Sequence, residues 1–124
     1  MRKILVVAAI AALVTVPAAL AKERNVALTG LPSVTEAGRV LTARINITMD
    51  RQPSGGNAPT VRLINNSIST AGRVINITAR PTGRLGSYRA RVVFPTAGTW
   101  RVVVVDTETS RAYSFGRVRV VRAA

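Results

Sequence analysis

Residues 86–100, GSYRARVVFPTAGTW, decide the fold of this chain. Apolar and polar residues alternate in the first half of this stretch, which is the pattern of a β-strand with one face in a core and one in water. A turn with one proline and one glycine follows, and Trp100 then opens a second strand. Tyr88, Phe94 and Trp100 share the inward-facing parity, so their rings can fill the space between two sheets about 10 Å apart. The stretch therefore predicts two strands of a β-sandwich.

The same two-residue alternation recurs along the chain, whereas helical periodicity is almost absent. Turn residues separate the alternating segments, and with a first strand near Asn25–Leu31 they give about seven strands. The longest irregular piece, Arg51–Ala58, is rich in Gly, Pro and Ser and is expected to be a mobile surface loop. Gly116 shifts the phase of the last segment, which predicts a β-bulge. We predict an all-β fold, an immunoglobulin-like β-sandwich of about seven strands.

The N-terminal segment has the three parts of a cleavable secretory signal helix. Arg2 and Lys3 give a basic start, Ile4–Val16 is apolar, and Pro17 precedes a small-residue ending at Ala21. We predict cleavage after Ala21, and hence a protein that is secreted or held in the periplasm or cell envelope. The alternative is an uncleaved membrane anchor, because the apolar run is just long enough to be considered as a span.

Composition excludes most catalytic chemistry. The 124 residues contain no His and no Cys, so the chain lacks the commonest general base, the thiolate nucleophile and the usual transition-metal ligands. A chain of this length forms one domain, which we place at 22–124 after a signal peptide at 1–21. We therefore expect no cofactor and no enzymatic activity.

The stretch from Gly86 to Trp100 resembles the late strands of bacterial secreted immunoglobulin-like domains of the YtkA-like kind, which are distantly similar to the CopC-type copper-resistance sandwich. In that family a Gly-x-Tyr strand leads through a Pro/Gly turn to a Gly-x-Trp strand, and Pro32 and Gly38 also fit the pattern. The resemblance implies a secreted sandwich and, for CopC-like relatives, a copper site whose ligands include histidines. This chain has no histidine, so no metal site is predicted; a copper-handling accessory role is kept as the alternative function.

The arginines are the strongest candidates for binding, since 18 Lys and Arg oppose 5 Asp and Glu and give a net charge of +13. Arg44, Arg89 and Arg91 have outward parity on segments that would pair within one sheet. The arginines with outward parity on the other sheet are Arg62, Arg101, Arg117 and Arg119. Such rows attract anionic partners, and we expect an anionic envelope polymer, a membrane surface or a protein partner. The alternative is a solvated basic surface that keeps the protein soluble.

Sequence-specific nucleic-acid binding is not expected. Modules of that kind present exposed aromatic rings for base stacking or a helix for a groove. Here all five aromatic residues have inward parity, and no helix is evident after the signal.

Residues Val102–Val105 are apolar on both faces of the predicted strand, so Val103 and Val105 would point outward. Central strands often carry such residues without consequence, and the alternative is a contact patch for a protein partner or a second copy. These two valines are therefore candidate protein-contact residues.

Asp106 and Glu108 are two carboxylates at a spacing that could place both on one side of an extended segment. The functional alternatives are an acid/base pair or a hard-metal site, which would need further acidic partners. We expect instead a solvated hairpin end after the strand. The sequence thus predicts an exported, non-enzymatic binding or accessory module of the cell envelope or extracellular space.

Overall fold

The alternating segments form β-strands, and the described residues, 24–65 and 73–124, contain no helix in this computed structural model. The predicted signal peptide lies outside the described residues. The strands are β1 (Arg24–Thr29), β2 (Val34–Glu36), β3 (Val40–Met49), β4 (Gln52–Pro53), β5 (Thr60–Asn65), β6 (Arg73–Thr78), β7 (Arg80–Pro81), β8 (Ser87–Val93), β9 (Gly98–Asp106) and β10 (Arg111–Val121). Seven of them have six or more residues and correspond to the seven predicted strands; β2, β4 and β7 are short additions.

The strands form two sheets that pack face to face. The first sheet has the order β1-β3-β8-β7, with β4 paired to β3, and the second has the order β2-β10-β9-β5-β6. All pairings are antiparallel except that of β2 with β10, which is parallel. The prediction of an all-β, immunoglobulin-like sandwich is therefore confirmed.

The inward-facing side chains of both sheets form one core. Trp100 and Phe94 are fully buried and meet edge to face, with ring centroids 5.6 Å apart. The Trp100 Nε1 donates to the carbonyl of Thr96 at 2.9 Å, so the polar atom of the indole is satisfied inside the core. Tyr88 packs in the same core, and its hydroxyl donates to the carbonyl of Gly56 at 3.4 Å. These contacts confirm the parity predicted for the three rings.

The predicted bulge at Gly116 is present in β10. The register between β10 and β9 shifts between Ser114 and Arg117, and Gly116 has a φ of 93°, which favours glycine. The bulge restores the phase of the strand, so that Phe115 before it and Val118 after it both pack against the core.

The segment predicted as an irregular loop from Arg51 onward begins with ordered structure. Met49 pairs with Gln52 across a two-residue turn, and both turn residues, Asp50 and Arg51, have positive φ, of 53° and 69°. This backbone matches the twist of a two-stranded hairpin. The prediction missed it because neither turn residue is glycine.

The chain changes sheets between β6 and β7, at the buried Ala79. The Ala79 amide donates to the carbonyl of Pro59 at 2.9 Å, which fixes the crossing point. β6 is the outer strand of the second sheet and β7 is the outer strand of the first, so the crossing brings the two sheet edges together on one side of the sandwich.

Candidate functional site

Three arginines lie in one row across the outer face of the first sheet. β3 pairs with β8 so that Arg44 is directly opposite Arg89, and β7 pairs with β8 so that Arg80 is also directly opposite Arg89. Neighbouring strands are about 4.8 Å apart, so this arginine row crosses three adjacent strands. Sequence reasoning found Arg44 and Arg89 but missed Arg80, because its pairing depends on where the chain changes sheets.

Arg91 extends the basic surface along β8. It has the same outward parity as Arg89, it is exposed, and it pairs with Thr42 of β3. Strands β1, β3, β7 and β8 contain no Asp or Glu. Like charges directly opposite one another destabilise a sheet, so an anion bound on this face would relieve the repulsion between the arginines.

Three of these arginines line a groove at the junction of the two sheet edges. The groove has a volume of about 720 Å³. Its charged lining is Arg80, Arg89 and Arg91, and its other lining residues are Val40, Thr42, Ile77, Thr78, Pro81 and Ala90. The groove lining thus combines three cationic side chains with apolar and hydroxyl-bearing residues.

The arginines of the second sheet lie on the opposite outer face of the sandwich. Arg62 donates to Asn76 Oδ1 at 3.0 Å, so part of its guanidinium is already engaged. Arg101 is half-buried and pairs with Arg117, and its Nε is buried without a hydrogen-bond partner among the described residues. Arg119 is exposed and pairs with Thr99. The structure therefore separates Arg62 and Arg101 from the arginine row rather than joining them to it.

Val103 and Val105 offer a partner little apolar surface. Val103 lies outside the core cluster but is only 7% exposed, because it sits between Arg62 of β5 and Ser114 of β10. Val105 is half-buried and pairs with Ala112.

The expectation that Asp106 lies at a solvated hairpin end is wrong. Its side chain is 0% exposed and forms a bidentate ion pair with Arg24, in which Arg24 Nε and Nη2 donate to the two carboxylate oxygens, the latter at 3.1 Å. The Glu108 amide and the Thr109 hydroxyl donate to the same carboxylate at 3.1 Å each. Asp106 is therefore engaged as an acceptor on both oxygens and does not form a paired site with the exposed Glu108.

The Arg24–Asp106 pair joins the two sheets at one end of the sandwich. Arg24 begins β1 in the first sheet and Asp106 ends β9 in the second. Burial acts to raise the pKa of Asp106, but hydrogen bonds from Arg24, Glu108 and Thr109 outweigh it and hold the pKa below its ordinary value. Sequence reasoning missed Arg24, although a charge at an inward position on each of two strands was the available signal.

For the alternative of a metal-handling protein, residues 24–65 and 73–124 contain no group of three His, Cys, Asp or Glu side chains that could hold a metal ion. Within the same residues, no helix is long and apolar enough to cross a bilayer.

No protein family model matches the chain, and no curated protein matches it. Among solved structures, a β-glucosidase from Listeria innocua in complex with gluconolactone is 16% identical and covers 81% of this chain and 16% of its own, with a TM-score of 0.52. A CARDB domain from Pyrococcus furiosus in complex with di-metal ions is 16% identical over 82% of this chain and 96% of its own, with a TM-score of 0.49. A superoxide reductase (neelaredoxin) from Ignicoccus hospitalis is 8% identical over 83% of this chain and 85% of its own, also with a TM-score of 0.49. The β-glucosidase similarity supports the fold alone.

Proposed function

We propose that this protein is an exported, non-enzymatic binding module of the cell envelope or extracellular space, and that it holds an anionic partner against the outer face of the first sheet. The observation that carries the proposal is the in-register row of Arg44, Arg89 and Arg80, with Arg91 beside it and no Asp or Glu in the described strands β1, β3, β7 and β8. Without an anion, the row brings like charges together on adjacent strands.

Guanidinium groups suit this role because each can donate two parallel hydrogen bonds to a carboxylate, sulfate or phosphate. The strands hold the backbones of the four arginines in fixed register, so the side chains converge on one surface without a loop having to order. Binding through exposed charges is weakened by salt, because salt screens charges over about 10 Å at ordinary ionic strength.

The test is retention of the purified protein on isolated cell envelopes at low and at high salt. We expect retention at low salt that high salt abolishes. The triple variant R44A/R89A/R91A should lose at least about tenfold in apparent affinity, because it removes three convergent charge-assisted contacts.

The matched control is R117A/R119A/R122A, which removes the same charge from exposed positions outside the first sheet. We expect it to retain most of the affinity. Equal losses in the two variants would mean that net charge alone attracts the protein, and would contradict an assigned site. Retention that survives high salt would point instead to an apolar contact.

A further inference from the structure

The groove contains an open strand edge. β7 pairs with β8 only at Tyr88 and Arg89, and no other described strand pairs with the rest of that side of β8. Among residues 24–65 and 73–124, nothing pairs with this side of β8 beyond Arg89, so the strand presents an unpaired edge up to Val93, beside the groove.

The hydrogen-bond pattern shows which backbone groups face that edge. The Ile47 amide of β3 donates to the carbonyl of Gly86 at 2.8 Å, and on the other side the Thr82 amide donates to the carbonyl of Ser87 at 3.1 Å. Backbone groups of successive residues in a strand point to opposite sides. The odd-numbered residues of β8 thus direct their N–H and C=O groups away from β3, and those of Arg91 and Val93 face the open edge.

Charged and apolar groups alternate around this edge in the way a strand would require. Arg89 and Arg91 project from the outer face of the first sheet, while Ile77 and Ala90 line the groove on its inner side. A strand added beside β8 would place one set of side chains toward the arginines and the alternate set toward the apolar lining.

We infer that the groove binds an extended acidic segment of a partner protein, which adds to the free edge of β8 as a further antiparallel strand. This inference rests on the proposed function and narrows its anionic partner to a polypeptide. A phosphate polymer or acidic glycan would match the arginines, but it has no alternating amide and carbonyl groups to pair with Arg91 and Val93. Main-chain pairing gives affinity in this mode of recognition, and the flanking pockets select side chains.

The first probe is a fluorescein-labelled hexapeptide of alternating glutamate and valine, titrated into the full-length protein and followed by fluorescence anisotropy. In the added strand, the residue opposite Arg91 has its side chain on the arginine face and its amide toward β8. Glutamates occupy such positions, so methylating the glutamate nitrogens removes the donors that pair with the edge while keeping every charge. We expect the methylated peptide to bind about tenfold more weakly or worse, since two or more hydrogen bonds are lost.

The second probe is the variant V93P. Proline removes one edge-facing N–H, is tolerated at strand edges and changes no charge. We expect V93P to weaken the unmethylated peptide severalfold, whereas the control V93A, which keeps the N–H, should bind it as the parent does. Circular dichroism of both variants checks that the sandwich is intact, and the methylated peptide tests the parent protein if V93P fails to fold.

The outcomes separate this inference from the proposed function. Equal binding of the methylated and unmethylated peptides would overturn strand addition and leave the proposed anion-binding surface in place. The same would follow if inorganic polyphosphate, at matched charge concentration, displaced both peptides and methylation made no difference. If neither peptide binds while R44A/R89A/R91A still abolishes envelope retention, the partner is a non-peptide anion and the inference also fails. If the arginines at this edge serve only to prevent aggregation, neither peptide will bind and the protein will not be retained on envelopes. That result would contradict both the inference and the proposed function.

Discussion

Asp106 shows how much a single residue's environment can differ from the one its neighbours in sequence suggest. It follows four valines and precedes a polar turn, yet its carboxylate is fully buried and accepts hydrogen bonds from Arg24, Glu108 and Thr109. The Arg24 guanidinium also donates to Ser54 Oγ at 3.2 Å, which ties the segment after β4 into the same network. Removing one partner of such a buried ion pair is strongly destabilising, because the remaining charge stays in a low-dielectric site.

We predict that D106N lowers the free energy of unfolding by about 3 kcal/mol or more, because it leaves the Arg24 charge buried without its counter-ion. Urea denaturation at neutral pH measures this. The control is E108Q, whose side chain is exposed and whose amide oxygen can still accept from the Asn57 amide, so its effect should stay within about 0.5 kcal/mol.

If D106N does not fold, the double variant R24M/D106L replaces both charges with apolar groups and should recover most of the lost stability. Equal stability of D106N and E108Q would contradict a structural ion pair at this position.

The same carboxylate predicts an acid-sensitive contribution to stability. Because the pKa of Asp106 is lower in the folded protein than in the unfolded chain, the folded state favours the charged form. This contribution is fully present above the unfolded pKa of about 4 and is lost as the pH falls through the folded pKa. The difference in unfolding free energy between the parent and D106N should therefore shrink as the pH is lowered below about 4. A difference that stays constant down to acid unfolding would rule out this linkage.

At the scale of elements, strand pairing rather than composition creates the arginine row. β8 lies between β3 and β7, so Arg89 has an arginine directly opposite on each side. Cross-strand neighbours of like charge are destabilising, and natural sheets ordinarily oppose them with an acidic or neutral residue. We therefore expect the arginine row to lower the stability of the sheet while it favours binding of an anion.

We predict that R89Q raises the free energy of unfolding at low salt, by no more than about 1 kcal/mol, while it weakens retention on cell envelopes. The gain should vanish at high salt, because screening removes the repulsion that the substitution relieves. The matched control is R119Q, which removes the same charge from an exposed position whose cross-strand partners are Val34 and Thr99. A stability gain of equal size in R119Q would show that net charge, not the row, sets the effect.

At the scale of the whole molecule, the sandwich distributes its excess positive charge over two faces that point away from each other. The first sheet carries a convergent set beside an open edge, whereas on the second sheet Arg62 is engaged by Asn76 and Arg101 is half-buried. A chain with a net charge of +13 is attracted to any anionic surface, but net charge alone does not select which face of the protein contacts that surface. The difference between the two faces would favour binding with the outer face of the first sheet toward the anionic surface.

Much of the fold was predictable because a half-buried β-strand produces a two-residue alternation of apolar and polar residues within a short stretch of sequence. The alternation of Tyr88, Ala90 and Val92 with Arg89 and Arg91 assigns a strand and both of its faces without any knowledge of its neighbours. The bulge at Gly116 was predictable for the same reason, since a shift of phase is visible within one segment. The hairpin at Asp50–Arg51 was not, because its positive φ angles fall on residues that only occasionally adopt them.

The sequence by itself determined the strands, their inward and outward faces, and the outward placement of Arg44, Arg89 and Arg91, because these follow from a two-residue period within each strand. Only the tertiary structure decided that Arg80 completes the row, that no described strand covers one side of β8 beyond Arg89, and that Asp106 is buried against Arg24, 82 positions away. These features depend on the register between strands and on where the chain crosses from one sheet to the other. That register is set by packing the whole core, so no short stretch of sequence contains it.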